Sequence, residues 1–248
     1  MPIGKTSKNN GAPPLYPLHS PRVRVMLNAS LEYEYGGMDM HVLLINGSPH
    51  KNGCTYTALC EVAGALNREG VETEIFHIGS GPVRSCAACG GCARTRGACV
   101  FTDDCVNTLI EKARACDGLI LGSPVHYASA SGAITSVMDR LFFAGGSALR
   151  GKPGAAVVSC RRAGSTAALD QLQKYFPIAG MPLVPSQYWP MVHGANAAEV
   201  REDLEGMQTM RILGRNMAWM LKCFALGREN GLSYPAREEA RVWTNFIR

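Results

Sequence analysis

The sequence contains no apolar run of the roughly 18 residues that a membrane-spanning helix needs, so no such span is expected. Its basic N-terminus is not followed by an apolar block, so no secretory signal is expected either. Charged residues are scarce at 18%. The net charge of +5 is scattered without a basic run, which gives no nucleic-acid stripe. Neither the G-x-G-x-x-G dinucleotide fingerprint nor the G-x-x-x-x-G-K-S/T nucleoside-triphosphate loop follows the first apolar strand. No Ser–His–Asp set, paired carboxylate or internal repeat is legible. What remains is a globular chain of 248 residues, 46% apolar, with enough length for one large domain. Cysteine, by contrast, is plentiful: ten thiols in a chain of this type point to a reducing, cytoplasmic setting and to metal or redox chemistry, not to a disulfide scaffold.

The most informative stretch is residues 45–55, Ile-Asn-Gly-Ser-Pro-His-Lys-Asn-Gly-Cys-Thr. It follows the β-branched run 41–45, which reads as a buried strand, and precedes a helical pattern over 54–68. Small residues let backbone N–H groups approach an anion, Ser48 and Thr55 add hydroxyl donors, and the helix dipole favours negative charge. A phosphate site is expected here, against the plain alternative of a strand–turn–helix link with a serine cap.

Residues 1–39 stand apart as an extension rich in Pro, Gly, Ser and basic residues over its first 24 positions, with a short helical turn or added strand expected over 30–35. Either it packs on a partner subunit or it reflects the choice of start site. The main domain is expected over 40–226, with a C-terminal tail over 227–248 whose Tyr234, Trp243 and Phe246 fold back over the body. Further strands are expected at 71–78, 117–122, 154–160 and 181–188, the last an edge because of Pro182 and Pro185. Helices are expected after each, beginning with one capped by Asp103 or Asp104 and ending with a single long helix over 197–226.

Five strands alternating with five helices imply an α/β fold, a five-stranded parallel sheet with helices on both faces. The flavodoxin-like doubly wound order 2-1-3-4-5 suits it, with the ligand at the carboxyl ends of the first and third strands. Loops 47–55, 123–127 and 161–165 then share one rim of the sheet, which favours a planar ligand that bears a phosphate.

Gly47-Ser48-Pro49, the cysteine run 86–92 with Cys99, Asp103-Asp104, residues 122–127 and Met138-Asp139-Arg140 occur in that order. Together they resemble the NAD(P)H-dependent FMN reductases of flavodoxin-like fold, and within them the iron–sulfur flavoproteins. The likeness covers about residues 40–225. It implies FMN as bound group or exchangeable substrate, NAD(P)H as co-substrate, and a homodimer or homotetramer. Carried onto this chain, it implies that Ser48, His50, Asn52, Cys54 and Thr55 hold the FMN phosphate and that Pro124, Val125, His126 and Tyr127 flank the flavin ring. The chain departs from the pattern where many relatives carry Arg in place of His50. It departs again after the fourth strand, where Arg161-Arg162-Ala163-Gly164 replaces a glycine-rich loop and leaves Arg161 as a candidate flavin contact.

Cys86, Cys89, Cys92 and Cys99 place four thiols within fourteen residues. Closely spaced Cys-x2-Cys runs let a short loop wrap a 4Fe-4S cluster. Zinc, metal-free redox thiols and a retained loop without a cluster are the competing readings. The other six cysteines read as small buried hydrophobes. His126 reads as a donor to the ring or a strand cap. His193 reads as a reach toward a neighbouring subunit or an ordinary surface residue. Asp139 and Arg140 read as forming an intrahelical or helix–loop salt link, not a catalytic pair.

Three functions follow. The first is an FMN-dependent NAD(P)H oxidoreductase serving a small acceptor such as a quinone, a nitro or azo compound, or free flavin. The second is an electron-transfer module that works with a redox protein through FMN and a cluster. The third is an interaction protein that keeps only the fold.

Overall fold

The computed structural model describes residues 39–236 together with 239, 240, 242 and 244. Residues 1–38 of the expected 1–39 extension, and Trp243 and Phe246 of the tail, lie outside the described residues. The first strand, β1 (His41–Asn46), has Val42, Leu43, Leu44 and Ile45 wholly buried. A strand covered on both faces needs such an unbroken apolar run. α1 (Cys54–Arg68) follows, then the edge strand β2 (Glu72–His77), α2 (Val106–Ala115), β3 (Gly118–His126) and the short β4 (Ser129–Ala130). Next come α3 (Gly132–Gly145), β5 (Gly154–Cys160), α4 (Ser165–Gln173), α5 (Tyr175–Ile178), β6 (Met191–His193), α6 (Ala197–Glu202) and α7 (Leu204–Glu229).

The sheet order is β2-β1-β3-β5-β6, with β4 pairing antiparallel to β3. All other ladders are parallel. Setting aside the β4 hairpin, the five parallel strands take the expected flavodoxin-like 2-1-3-4-5 order.

Alternate residues on the strands face opposite layers. Leu43, Ile45, Leu119, Leu121, Ala156 and Val158 join one apolar cluster with residues of α2, α3 and α4. α1 and α7 lie together on the other side of the sheet. There Gly214 of α7 packs against Val62 and Ala65 of α1 so closely that a Cβ would sit 2.7 Å from Ala65 Cβ. Each fully buried aliphatic side chain in these layers contributes ~1.5–3 kcal/mol.

Three expectations need correction. The fifth strand is Met191–His193 and not 181–188. Pro182, Pro185 and Pro190 remove ladder donors, so 181–188 meets the sheet only through a bridge from Leu183 to Gly154. The single long helix is two: Asp203 leaves helical geometry and caps α7, its Oδ1 accepting from Gly206 N at 2.9 Å. The third strand runs on to His126, so Pro124, Val125 and His126 are strand and not loop, with Pro124 in register with Ser159. In the tail, Tyr234 packs on Gly151. Arg150 lies over its ring at 5.1 Å and donates to Pro235 O at 3.0 Å.

Candidate functional site

The carboxyl ends of β1, β3 and β5 meet on one rim. Gly47 is where they close: its N–H donates to Gly122 O at 2.8 Å, and Ser131 Oγ donates to Gly47 O at 2.8 Å. A Cβ at Gly47 would lie 2.6 Å from Ile134 Cβ, so only glycine lets the loop sit against α3. Asn46, fully buried, shapes the next turn. Its Oδ1 accepts from Ser48 N at 3.1 Å and its Nδ2 donates to Lys51 O at 3.2 Å. Ser48 Oγ accepts from His50 N at 3.1 Å, which leaves the Ser48 hydroxyl proton uncommitted. His77 Nε2 lies 2.9 Å from Ser48 O and ties the loop to β2.

α1 starts behind this loop. Gly53 offers no side-chain cap and no acidic residue occupies the first turn. The leading N–H groups of the helix are therefore left for an incoming acceptor. Thr55, 1% exposed, has its Oγ1 2.8 Å from Ser159 Oγ at the end of β5. Two hydroxyls that share one bond keep one proton spare. Cys54 Sγ contacts Gly194 O at 3.5 Å. Burial, with Glu199 adding to it, pushes this thiol above its ordinary range despite the opposing backbone hydrogen bond, so it brings no negative charge to the loop at neutral pH. His50, Lys51 and Asn52 are exposed at the mouth.

The second wall is the β3–β4 hairpin. Tyr127 and Ala128 both adopt left-handed backbone, φ 50° and 57°, where a two-residue hairpin turn ordinarily takes Asn or Gly. The strained turn presents Tyr127 fully to solvent and leaves His126 exposed beside it. The third wall, 161–164, carries exposed Arg161 and Arg162, and its Gly164 (φ 88°) lies against Ala128 and Val125. The structure thus brings Ser48, His50, Asn52, Cys54, Thr55, Pro124, Val125, His126, Tyr127 and Arg161 to one edge of the sheet.

Cys86, Cys89, Cys92 and Cys99 line a pocket together with Val100, Phe101, Arg140 and Phe143. Ala88 (φ 49°) and Gly90 (φ 66°) both take left-handed backbone on either side of Cys89. Among the described residues no three His, Cys, Asp or Glu side chains converge as ligands of a single ion do. Thiolates bound to different irons of a cube stand farther apart than four ligands of one ion, so a shared pocket is the relevant geometry. Arg140, 1% exposed, borders the pocket. Its Nε donates to Cys99 Sγ at 3.2 Å, its Nη2 to Phe101 O at 3.0 Å, and its Nη1 to Arg84 O at 3.1 Å and to the Asp104 carboxylate. Burial works against the guanidinium charge, but the Asp104 and Cys99 hydrogen bonds and charges outweigh it and hold Arg140 protonated.

Residues 40–196 match the NADPH-dependent FMN reductase family. An iron–sulfur flavoprotein of Methanocaldococcus jannaschii is 32% identical over 192 residues, 74% of this chain and 98% of its own. The chain belongs to the NADPH-dependent FMN reductase family, in its iron–sulfur flavoprotein branch. An iron–sulfur flavoprotein of Methanosarcina thermophila is 28% identical over 194 residues, covering 77% of this chain and all of its own. Among solved structures, a flavodoxin from the domain Archaea superposes with a TM-score of 0.52 at 14% identity, over 74% of this chain and 99% of that one, which supports the fold. Membership makes this chain a flavin oxidoreductase of the FMN-binding kind.

The rim fits a phosphate-bearing flavin by its donor set: an uncapped helix start, spare hydroxyl protons and exposed cations. The cysteine loop fits an iron–sulfur group by its four thiols on one pocket. Sequence reading missed Ser159, Asn46, His77 and the Cys99 role of Arg140. Asn46 and Ser159 carried a signal, each a polar residue at the end of an apolar strand. The structure also places the lone residues. Of the six cysteines expected to be buried, Cys116 and Cys160 are, Cys54 and Cys105 are half-buried, and Cys60 and Cys223 are exposed. Asp139 and Arg140 part company, Asp139 accepting from Tyr175 and Arg140 making the helix–loop salt link to Asp104. His193 ends β6, its N–H donating to Asp203 at 2.7 Å.

Proposed function

We propose that this protein binds FMN on the rim and uses it to move electrons from NAD(P)H to a small acceptor such as a quinone, a nitro or azo compound, or free flavin. The convergence of the 47–55 loop, the end of β3 with its Tyr127–Ala128 turn, and the end of β5 with the 161–164 loop on one sheet edge carries this reading. FMN, when bound, supplies an electrophilic ring nitrogen that accepts hydride. The chain's residues do the rest. Ser48, Thr55, Asn52 and His50, with the first turn of α1, hold the phosphate. Pro124, Val125 and the His126–Tyr127 turn border the ring, and Arg161 offers a positive charge at its open edge. Exposed Tyr188 and Trp189, stacked edge-to-face at 4.9 Å, offer apolar surface for a homodimer or homotetramer.

A second reading is supported by the cysteine pocket: an electron relay that passes single electrons to a redox protein through FMN and a 4Fe-4S cluster on Cys86, Cys89, Cys92 and Cys99. Protein purified without oxygen separates the two, because thiolate-bound iron is lost on oxidation. Flavin, iron, sulfide and zinc are assayed per chain. About four irons on the cube stoichiometry, lost in Cys89→Ala while FMN stays, support the relay. Full flavin with neither iron nor sulfide leaves the reductase alone. No flavin under any condition refutes both.

A further inference from the structure

Cys99 is held differently from the other three cysteines. Asn107 grips its backbone on both sides, Oδ1 accepting from Cys99 N at 2.8 Å and Nδ2 donating to Cys99 O at 3.0 Å. The same Nδ2 also donates to Phe101 O at 3.1 Å. Its sulfur receives the Nε–H of Arg140. Cys92 is steadied through its carbonyl, by Thr95 Oγ1 and Gly97 N, both at 3.2 Å. Every nitrogen of the Arg140 guanidinium is engaged, and the group sits between two acceptors of negative charge, the Asp104 carboxylate and the Cys99 sulfur. A guanidinium is planar and permanently charged, and its fork fixes direction as an ammonium does not. Asp104 is itself held by Arg84 N at 3.2 Å and Val106 N at 3.1 Å, so the pair has little freedom to swing away.

We propose that Arg140 is a positioning residue of the cysteine loop: it aims the Cys99 sulfur into the pocket and, through its N–H···S bond and its charge, raises the reduction potential of an iron–sulfur group held there. Hydrogen bonds to cluster sulfurs and local net charge are the protein's principal controls on that potential. Asp104 sets the counterweight, because its carboxylate cancels most of the guanidinium charge as seen from the sulfur. The inference rests on the cluster reading, and its test separates the two.

The test uses anaerobic holoprotein and dye-mediated titration with dithionite, followed by the low-temperature spin signal of the reduced cluster. Three proteins are compared: wild type, Asp104→Asn, and the double variant Arg140→Gln/Asp104→Asn. The double variant leaves no unpaired buried charge and so keeps the fold testable. Asp104→Asn removes the counter-charge and keeps the bond to sulfur, so its midpoint is expected above that of wild type. The double variant loses the guanidinium charge and its N–H···S bond, so its midpoint is expected below that of wild type. A merely structural loosening of the loop would move both variants in the same direction from wild type. Equal potentials in the three proteins, or both variants shifted the same way, overturn the role of Arg140 while leaving the cluster in place. Wild type with flavin and no iron or sulfide overturns the cluster reading and this inference together.

Discussion

Thr55→Val tests the phosphate loop at its most buried contact. Thr55 is 1% exposed and Ser159 is 3% exposed, and their hydroxyls lie 2.8 Å apart. Valine keeps the shape of threonine and removes only the hydroxyl. Two costs follow. The first is to the fold: Ser159 loses its partner, and an unsatisfied buried hydroxyl costs ~1–3 kcal/mol. Urea unfolding of flavin-free protein reads this directly. The second is to the ligand. A hydrogen bond to a charged group contributes ~1.5–3 kcal/mol, which weakens FMN binding by roughly 10- to 150-fold at 1.4 kcal/mol per tenfold. Riboflavin has the same ring and no phosphate, so its affinity is expected to change little. The assay is fluorescence titration of both flavins into both proteins under conditions where both are folded. The reasoning is refuted if FMN and riboflavin weaken by the same factor, or if wild type binds the two equally.

Other outcomes follow from single contacts. Gly47→Ala places a Cβ 2.6 Å from Ile134 Cβ and 2.9 Å from Gly122 O, so overpacking is expected to cost ~1–3 kcal/mol in urea unfolding, with FMN affinity falling as the loop is displaced. Burial alone would raise the Asp104 carboxyl, but hydrogen bonds from Arg140, Val106 N and Arg84 N, and the Arg140 charge, hold it below its ordinary range. A depressed folded value stabilises the protein above about pH 4, and that stability is lost as pH falls through the folded value. Acid unfolding curves should therefore be steeper below about pH 4 in wild type than in Asp104→Asn, and coincident curves would remove the pair from the account. Sedimentation at micromolar concentration should show a dimer or tetramer that Trp189→Ser weakens; a monomer in wild type contradicts the Tyr188–Trp189 surface.

The parts of the fold written in local pattern were legible. Val42 to Ile45 and Gly154 to Cys160 are apolar runs that only a doubly covered strand accommodates, and they fixed the frame in which the three rim loops meet. The fifth strand was not legible in the same way. Met191–His193 is too short for a pattern, and the longer apolar stretch before it is disqualified by its prolines. The break at Asp203 has no Gly or Pro to announce it, and only the capping bond to Gly206 reveals it. Ser159 meets Thr55 from 104 positions away and Arg140 meets Cys99 from 41, so neither pairing leaves a local trace. The left-handed pair Tyr127–Ala128 carries side chains that ordinarily avoid that conformation, which is why the turn read as a loop.

The central claim is that the rim holds FMN in a form that NAD(P)H reduces. The most direct measurement is anaerobic mixing of FMN-loaded protein with NADPH, and separately with NADH, followed at the visible flavin band. Bleaching at a rate that rises with nicotinamide concentration, and that Thr55→Val restores only at raised FMN, is the result expected here. Protein that holds a full equivalent of FMN and keeps its band unchanged under excess NADPH and excess NADH would contradict it.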